Sequence, residues 1–170
     1  MPNTSRSRTI DAPRAKVWRL IADPHNLPRW WSDTLRVESV EGKPGARRSS
    51  FTQVFETQKG TPVRADYRCI DSTEERRLVW EQQIDGTPFE KFLRGAQVEF
   101  LLEPGGEGAT TITMIGRRSL RGLSRLGAPM MSRATKRALD DALDGMEDAL
   151  TVPARSDEPD AGDREGMEGR

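Results

Sequence analysis

The stretch TIDAPRAKVWRLIADPHNLPRWW, residues 9–31, decides the fold of this chain. Polar residues alternate with larger ones before Asp11, which is typical of a strand. The carboxylate of Asp11 suits a helix N-cap, and Pro13 suits a first helical turn. In residues 14–22 the apolar side chains share one broad face. The segment therefore predicts a strand followed by a short amphipathic helix.

The same stretch then predicts a second, shorter helix that ends in paired tryptophans. Asp23 precedes Pro24, and because a residue before proline is disfavoured in the α region, the first helix ends here and another can begin. Pro28 prevents a long regular helix. Trp30 and Trp31 would diverge by about 100° on a helix. We expect one indole to anchor the segment and the other to reach a more open position.

The pattern DAP-x-x-x-VW-x-x-x-AD-P-x-x-L-x-x-WW resembles the start of the polyketide cyclase/dehydrase and lipid-transport group, which belongs to the START-like, helix-grip superfamily. The resemblance covers roughly residues 4–150, since strands and a long final helix follow in the same order. It implies an α+β helix-grip fold, in which a curved seven-stranded antiparallel sheet wraps a long C-terminal helix and two short helices follow the first strand. It also implies a cavity between sheet and helix.

The middle of the chain, residues 34–119, predicts a series of hairpins. Turn-forming glycines and prolines separate strand-length segments. Every second side chain is apolar around Tyr67 and again around Trp80. The short connections favour antiparallel neighbours, and the strand before the short helices brings the number to about seven.

Apolar residues at three- and four-residue steps predict a long helix between Leu123 and Leu150. Gly122, Gly127 and Pro129 indicate that this helix starts late or is interrupted. One apolar stripe comprises Leu139, Leu143, Met146 and Leu150, and a neighbouring stripe comprises Leu126, Met130, Ala134 and Ala138.

Composition limits the function classes. The 170 residues suit one domain over residues 1–152, and residues 153–170 are predicted to be a disordered acidic tail. Equal numbers of cationic and acidic residues, 27 each, argue against dedicated nucleic-acid binding. Cys69 is the only cysteine, which excludes an intramolecular disulfide. Without a signal pattern or a transmembrane segment, we expect a cytoplasmic protein.

Side chains in phase with the apolar strand faces are the candidates for ligand contact. Tyr67, Trp80 and Gln82 would either bond within a solid core or orient a molecule in a hollow one. Arg94 is in phase with Ala96, so it would meet an anionic ligand at the mouth or extend to solvent. The predicted ligand-binding residues are Trp31, Phe55, Tyr67, Trp80, Gln82, Arg94, Phe100, Met114, Met130 and Ala134.

Catalytic and metal-binding patterns are mostly missing from the sequence. His25 is the only histidine, and no cysteine or serine nucleophile motif accompanies it. Asp66, Glu81 and Glu99 alternate onto the polar strand faces, where we expect solvated surface. We therefore expect no metal and no other cofactor, and we predict no catalytic residue.

The charge order around the last helix opposes its dipole. Residues 116–139 carry seven cations and no acid, whereas residues 140–148 carry five acids and no cation. A helix dipole favours the reverse order, so ion pairs with other elements, or a partner, must compensate. The basic surface of residues 117–137 would be a solvated loop paired with strand acids, or it would gate the cavity, or it would attract anionic ligands or a lipid surface.

Together these patterns favour carriage or sensing of a small hydrophobic, aromatic or lipid-like molecule between sheet and final helix. A polyketide cyclase/aromatase-like enzyme in the same cavity is the first alternative, with Tyr67, Gln82 or Arg94 as proton-transfer groups. The second alternative is a protein- or membrane-interaction module that uses residues 117–137. Peripheral membrane contact stays open under each interpretation.

Overall fold

A computed structural model describes residues 3–57 and 59–151. The predicted acidic tail, residues 153–170, lies outside the described residues. The elements, in chain order, are β1 (Asn3–Ile10), α1 (Arg14–Ala22), α2 (Leu27–Trp30), β2 (Thr34–Glu41), β3 (Ser50–Glu56), β4 (Pro62–Thr73), β5 (Arg77–Gln82), β6 (Leu93–Pro104), β7 (Thr110–Leu120) and α3 (Ala128–Thr151).

One antiparallel sheet contains all seven of these strands, in the order β1-β7-β6-β5-β4-β3-β2. Consecutive strands from β2 to β7 are hairpin neighbours, and β1 closes the order by pairing with β7. The predicted helix-grip fold is confirmed, including the two short helices after the first strand and the long final helix.

The caps of the short helices differ from the prediction at one point. Asp23 accepts a hydrogen bond from the amide of His25 at 3.0 Å, as expected of a capping carboxylate. Pro13, with extended backbone, occupies the N-cap position of α1 and makes no side-chain cap, so the cap predicted for Asp11 is wrong. The reason is a tight turn, in which the Ala12 amide bonds the carbonyl of Ile10 at 2.9 Å and delays the helix.

Aromatic side chains form a continuous network on the face of the sheet that packs against α3. Phe51 stacks on Tyr67 with ring centroids 5.3 Å apart and meets Trp80 edge to face at 4.9 Å. Trp80 contacts Phe100 at 5.2 Å, and Trp30 of α2 contacts Phe100 at 6.0 Å. Each such pair adds about 0.5–1.5 kcal/mol beyond simple area burial. The middle of the sheet therefore has a solid core.

The C-terminal half of α3 completes that core. Leu139, Leu143, Met146 and Leu150 are buried, and they form the stripe that the sequence predicts. At Gly145 the helix touches α2 so closely that a Cβ would overlap the backbone carbonyl oxygen of Trp30.

Ion pairs from the edge strand β1 compensate three of the five acids in this half of α3. Arg6 Nε donates to the carboxylate of Asp140 at 3.0 Å. Arg8 pairs with Asp144 and, at 3.0 Å, with Glu147. The unfavourable charge order of the helix is thus offset across elements at its C-terminal end.

Candidate functional site

A narrow cleft of about 30 Å³ lies where α3 crosses the sheet near β7. The residues that surround it come from the loop after α2, from β4, β5, β6 and β7, and from α3. They include Trp31, Tyr67, Gln82, Arg118, Thr135 and Leu139. Gly116 permits the crossing, because a Cβ there would stand 3.1 Å from Cγ2 of Thr135. The cleft is a gap at the margin of the aromatic core.

An open groove of about 740 Å³ continues from this cleft on the side of β2 and β3. The cleft and the groove share Arg118, Thr135 and Ala138. Leu35 and Met130 line the groove and are 48% and 79% exposed. The two spaces together form a path from solvent to the sheet beneath α3.

Gln82 is the polar residue of the cleft whose side-chain amide lacks a hydrogen bond among the described residues. It is the last residue of β5, lies opposite Tyr67 in the β4–β5 ladder, and is only 8% exposed. Its side-chain Nε2 is buried and has no hydrogen-bond partner among the described residues. Leaving such a donor unpaired costs about 1–3 kcal/mol, so a group with an acceptor atom would be stabilised beside it.

Tyr67 brings a neutral phenol to the same place. Burial raises the pKa of Tyr67, and the positive charge of Arg118 partly opposes that rise. The phenol thus keeps its proton at neutral pH and can donate a hydrogen bond. The aromatic ring itself is held by its stacking on Phe51.

The two adjacent tryptophans occupy different positions. Trp30 is 1% exposed and packs on Phe100 in the core, and its Nε1 has no hydrogen-bond partner among the described residues. Trp31 is partly exposed and lines the cleft. Their ring centroids are 5.4 Å apart. Trp30 is therefore the anchor and Trp31 is the residue at the opening.

The other predicted site residues fall into three groups. Trp80, Phe100 and Met114 are buried inside the core and outside the cleft lining. Phe55 is partly buried on β3. Met130 and Ala134 are exposed and line the open groove.

Arg94 does not face the same side of the sheet as Ala96, although its spacing of two residues predicts that it does. The β6–β7 register shifts between Leu93 and Gly95, which makes Arg94 the extra residue of a bulge. Leu93 and Ala96 are both buried, whereas Arg94 is exposed. The predicted phase is wrong because the bulge removes the period of two at this point.

Arg118 is the residue at the mouth that the sequence reasoning missed. In β7 the residues Thr110, Ile112, Met114 and Gly116 are all buried, and Arg118 continues the same alternation. The alternation along β7 predicts this position for Arg118 if the strand is extended beyond Met114. Assigning the arginine to a basic loop hid it.

Glu99 is also not solvated, although the strand alternation predicts a solvated position for it. It lies on the outer face of β6 but is only 4% exposed, so the predicted solvated position is wrong. Arg77 Nε donates to it at 2.6 Å, and Arg117 Nη1 stands 2.5 Å from its second oxygen. Burial alone would raise the pKa of Glu99, but the hydrogen bonds and charges of the two arginines outweigh burial and lower it. The long arginine side chains cover the carboxylate.

The described part of the chain gives little support for metal chemistry or for membrane spanning. Over residues 3–57 and 59–151, no three or more His, Cys, Asp or Glu side chains are grouped so that they could hold a metal ion. His25 is exposed and its ring Nδ1 lies 2.9 Å from the carboxylate of Asp23. No helix within those ranges has the length and apolarity to cross a membrane.

A sheet that grips one long helix, with a cleft at the mouth, defines a START-like domain. The chain belongs to the polyketide cyclase / dehydrase and lipid transport family, whose model matches residues 1–151. No curated protein matches the sequence.

Solved structures share the fold at low sequence identity. Protein TTHA0849 from Thermus thermophilus is 21% identical with a TM-score of 0.67, over 88% of this chain and 97% of that one. A START superfamily protein from Mycobacterium smegmatis is 12% identical with a TM-score of 0.70, over 87% and 96%. The di-domain ARO/CYC protein BexL, from the BE-7585A biosynthetic pathway, is 19% identical with a TM-score of 0.71; 88% of this chain matches 46% of BexL.

Proposed function

We propose that this protein binds a small hydrophobic, aromatic or lipid-like molecule between the sheet and α3, in order to carry or sense it. The observation that carries the proposal is the cleft, where Nε2 of Gln82 has no hydrogen-bond partner among the described residues and which adjoins a groove open to solvent. A mostly apolar space with a few placed polar groups is the usual form of a ligand site.

The dimensions of the two spaces determine how the ligand lies. About 30 Å³ accommodates one small group, whereas the groove of about 740 Å³ accommodates the remainder. Leu35 and Met130 are exposed on opposite walls of that groove. Covering apolar surface contributes roughly 25 cal/mol per Å², so these two side chains supply affinity and the polar groups of the cleft supply orientation.

Saturable binding of the neutral fluorescent probe N-phenyl-1-naphthylamine tests this proposal. Ala134 lines the groove, so Ala134→Trp should fill it and reduce probe binding at least about tenfold. Lys136→Trp is the matched control, because Lys136 is exposed on α3 and outside the groove lining. Unsaturable probe binding, or equal loss in both variants, would contradict a ligand site in the groove.

An enzyme of the cyclase kind is a second candidate, favoured by the position of Tyr67. Its phenol stays protonated beside the cationic Arg118 and could transfer a proton to a bound chain. Tyr67→Phe separates the two functions, since a carrier keeps most of its affinity and an enzyme that depends on the phenol loses turnover. The readout is consumption of a poly-β-ketone chain alongside probe affinity.

An interaction module is a third candidate, favoured by exposed apolar residues on the basic surface of residues 117–137. Leu126, just before α3, and Met130, on α3, are 83% and 79% exposed, and the exposed Arg133 and Arg137 follow Met130 by three and seven residues, on the same side of the helix. Apolar side chains flanked by cations suit an anionic lipid surface. Co-sedimentation with phosphatidylglycerol vesicles that falls steeply with added salt would support this function, and no co-sedimentation at low salt would exclude it.

A further inference from the structure

We propose that the ligand enters the cleft with a carboxylate and that Gln82 and Arg118 hold this group while an apolar tail lies in the groove. The inference rests on the proposed function and adds the chemical class of the ligand. Arg118 is the residue that gives the cleft its preference for a carboxylate.

The geometry brings hydrogen-bond donors together around the cleft. Gln82 and Tyr67 are directly opposite each other in the β4–β5 ladder. Arg118 lines the same cleft and acts electrostatically on the Tyr67 phenol. Gln82 Nε2 is buried without a partner among the described residues. An amide, a phenol and a guanidinium all donate, so the cleft is suited to acceptor oxygens.

The charges around the cleft select an anion. No Asp or Glu is among the described residues that line the cleft, and Arg118 supplies their only full charge. The neighbouring Arg117 points to the other face of β7, where it pairs with Glu99. Arg118 makes no ion pair within residues 3–57 and 59–151. Adjacent arginines thus have different roles, one in a structural ion pair and the other available to a ligand.

The volume decides between a head group and a tail. The cleft, at about 30 Å³, is far smaller than the groove, at about 740 Å³, so the cleft suits a small head group and the groove suits the tail. A guanidinium holds a carboxylate through parallel hydrogen bonds, which are roughly twice as strong as neutral ones. The tail must then leave past Arg118, Thr135 and Ala138, the residues common to cleft and groove.

Competition against N-phenyl-1-naphthylamine with decanoic acid, decanol and decylamine tests the head-group preference. The three compounds share one tail and differ only in the end that reaches the cleft. We expect decanoic acid to bind at least about tenfold more tightly than decanol, and decylamine to bind most weakly. Arg118→Gln should bring the acid to the affinity of the alcohol. Arg118 is exposed, so this variant keeps the core intact.

Two further variants complete the test. Gln82→Glu keeps the side-chain shape and places an anion in the cleft, so the preference should change from decanoic acid to decylamine. Lys136→Gln is the control, because Lys136 is an exposed cation of α3 outside the linings of both the groove and the cleft and should leave the preference unchanged.

The outcomes separate the two proposals. If the probe binds but acid and alcohol compete equally in wild type and in Arg118→Gln, the carboxylate inference is overturned and the proposed function stands, with a water molecule as the partner of Gln82. If the probe does not bind at all, the proposed function fails and the carboxylate inference fails with it. A tenfold acid preference that Lys136→Gln also abolishes assigns recognition to the general positive charge of α3 and overturns the role of the cleft.

Discussion

The two halves of α3 contact the rest of the molecule in different ways. Over residues 139–150 the helix buries Leu139, Leu143 and Met146 in the aromatic core, and ion pairs to β1 hold its acids. Over residues 128–138 Thr135 alone is buried, and the helix borders the cleft and the groove. Ala128 and Met131 pack on a smaller cluster around Leu120.

This difference teaches how one element can serve both stability and binding. The C-terminal half fixes the position of α3 with buried apolar area, which is the dominant favourable term in folding. The N-terminal half then lies over a space that it does not fill. Side chains there can change at little cost in stability, because few of them contribute to the core.

The largest effect should come from adding a methyl group inside the C-terminal half of α3, at Gly145, and the comparison adds one just before the helix, at Gly127. Gly145→Ala would overlap the backbone of Trp30, and since neither backbone can move without separating α2 from α3, we expect a loss of about 3 kcal/mol or more. Gly127→Ala adds the same methyl group where nothing lies within 4 Å, so it should be neutral or slightly stabilising. Urea unfolding of both variants measures the contrast.

Equal losses in the two glycine variants would show that the halves of α3 are packed alike. A Gly145→Ala protein that does not fold can be replaced by Gly145→Ser, which adds a Cβ at the same place and should fail likewise. Wild-type stability in that second variant would refute the close contact between α2 and α3.

A matched pair of methionines gives the next largest effect. Met146 is 0% exposed and Met130 is 79% exposed, although both lie on α3. Truncating a buried methionine to alanine costs about 2–5 kcal/mol, so Met146→Ala should lower the free energy of unfolding by that amount. Met130→Ala should change it by less than about 0.5 kcal/mol. Thermal and urea unfolding measure both changes. Similar losses of stability in the two variants would contradict the difference between the two halves of α3.

The same division explains what the sequence could predict. Alternation around Tyr67 and Trp80 and the stripe from Leu139 to Leu150 place the core correctly, because buried positions must be apolar over many turns and strands. The fold depends on such long patterns and tolerates errors of one residue.

The site depends on single positions, and those were predicted less well. A bulge of one residue turns Arg94 to solvent, and one further alternation brings Arg118 to the mouth. Glu99 is covered by arginines from two other strands, which no local pattern reports. The bulge at Arg94 and the covering of Glu99 depend on how neighbouring strands pair, whereas sequence periodicity describes one strand at a time.

Tyr67, the only tyrosine of the chain, reports on the environment of the cleft beside α3. Burial raises the pKa of Tyr67 and Arg118 partly opposes this, so absorbance at the phenolate band should titrate at higher pH in the folded protein than in urea. The neutral phenol then contributes stability below its unfolded pKa, about 10, and this is lost as pH rises through the folded pKa.

Arg118→Gln should move the midpoint of that tyrosine titration further upward, because it removes the opposing positive charge. Arg133→Gln, outside the cleft lining, should leave the midpoint in place. A folded midpoint equal to that in urea would mean that the Tyr67 phenol is as well solvated as in the unfolded chain. It would contradict the burial of Tyr67 beside the N-terminal half of α3.

The smallest effect should come from the exposed charges of the two halves. Arg8 bridges Asp144 and Glu147 with its side chain 29% exposed, so Arg8→Gln should cost about 0.2–1 kcal/mol, less in high salt. Arg133→Gln removes a cation near the N-terminal end of the helix, where the dipole disfavours it, so the free energy of unfolding should stay equal or rise slightly. Urea unfolding at low and high salt distinguishes the signs. If both variants destabilise equally, the charge order is compensated along the whole helix and not only at its packed end.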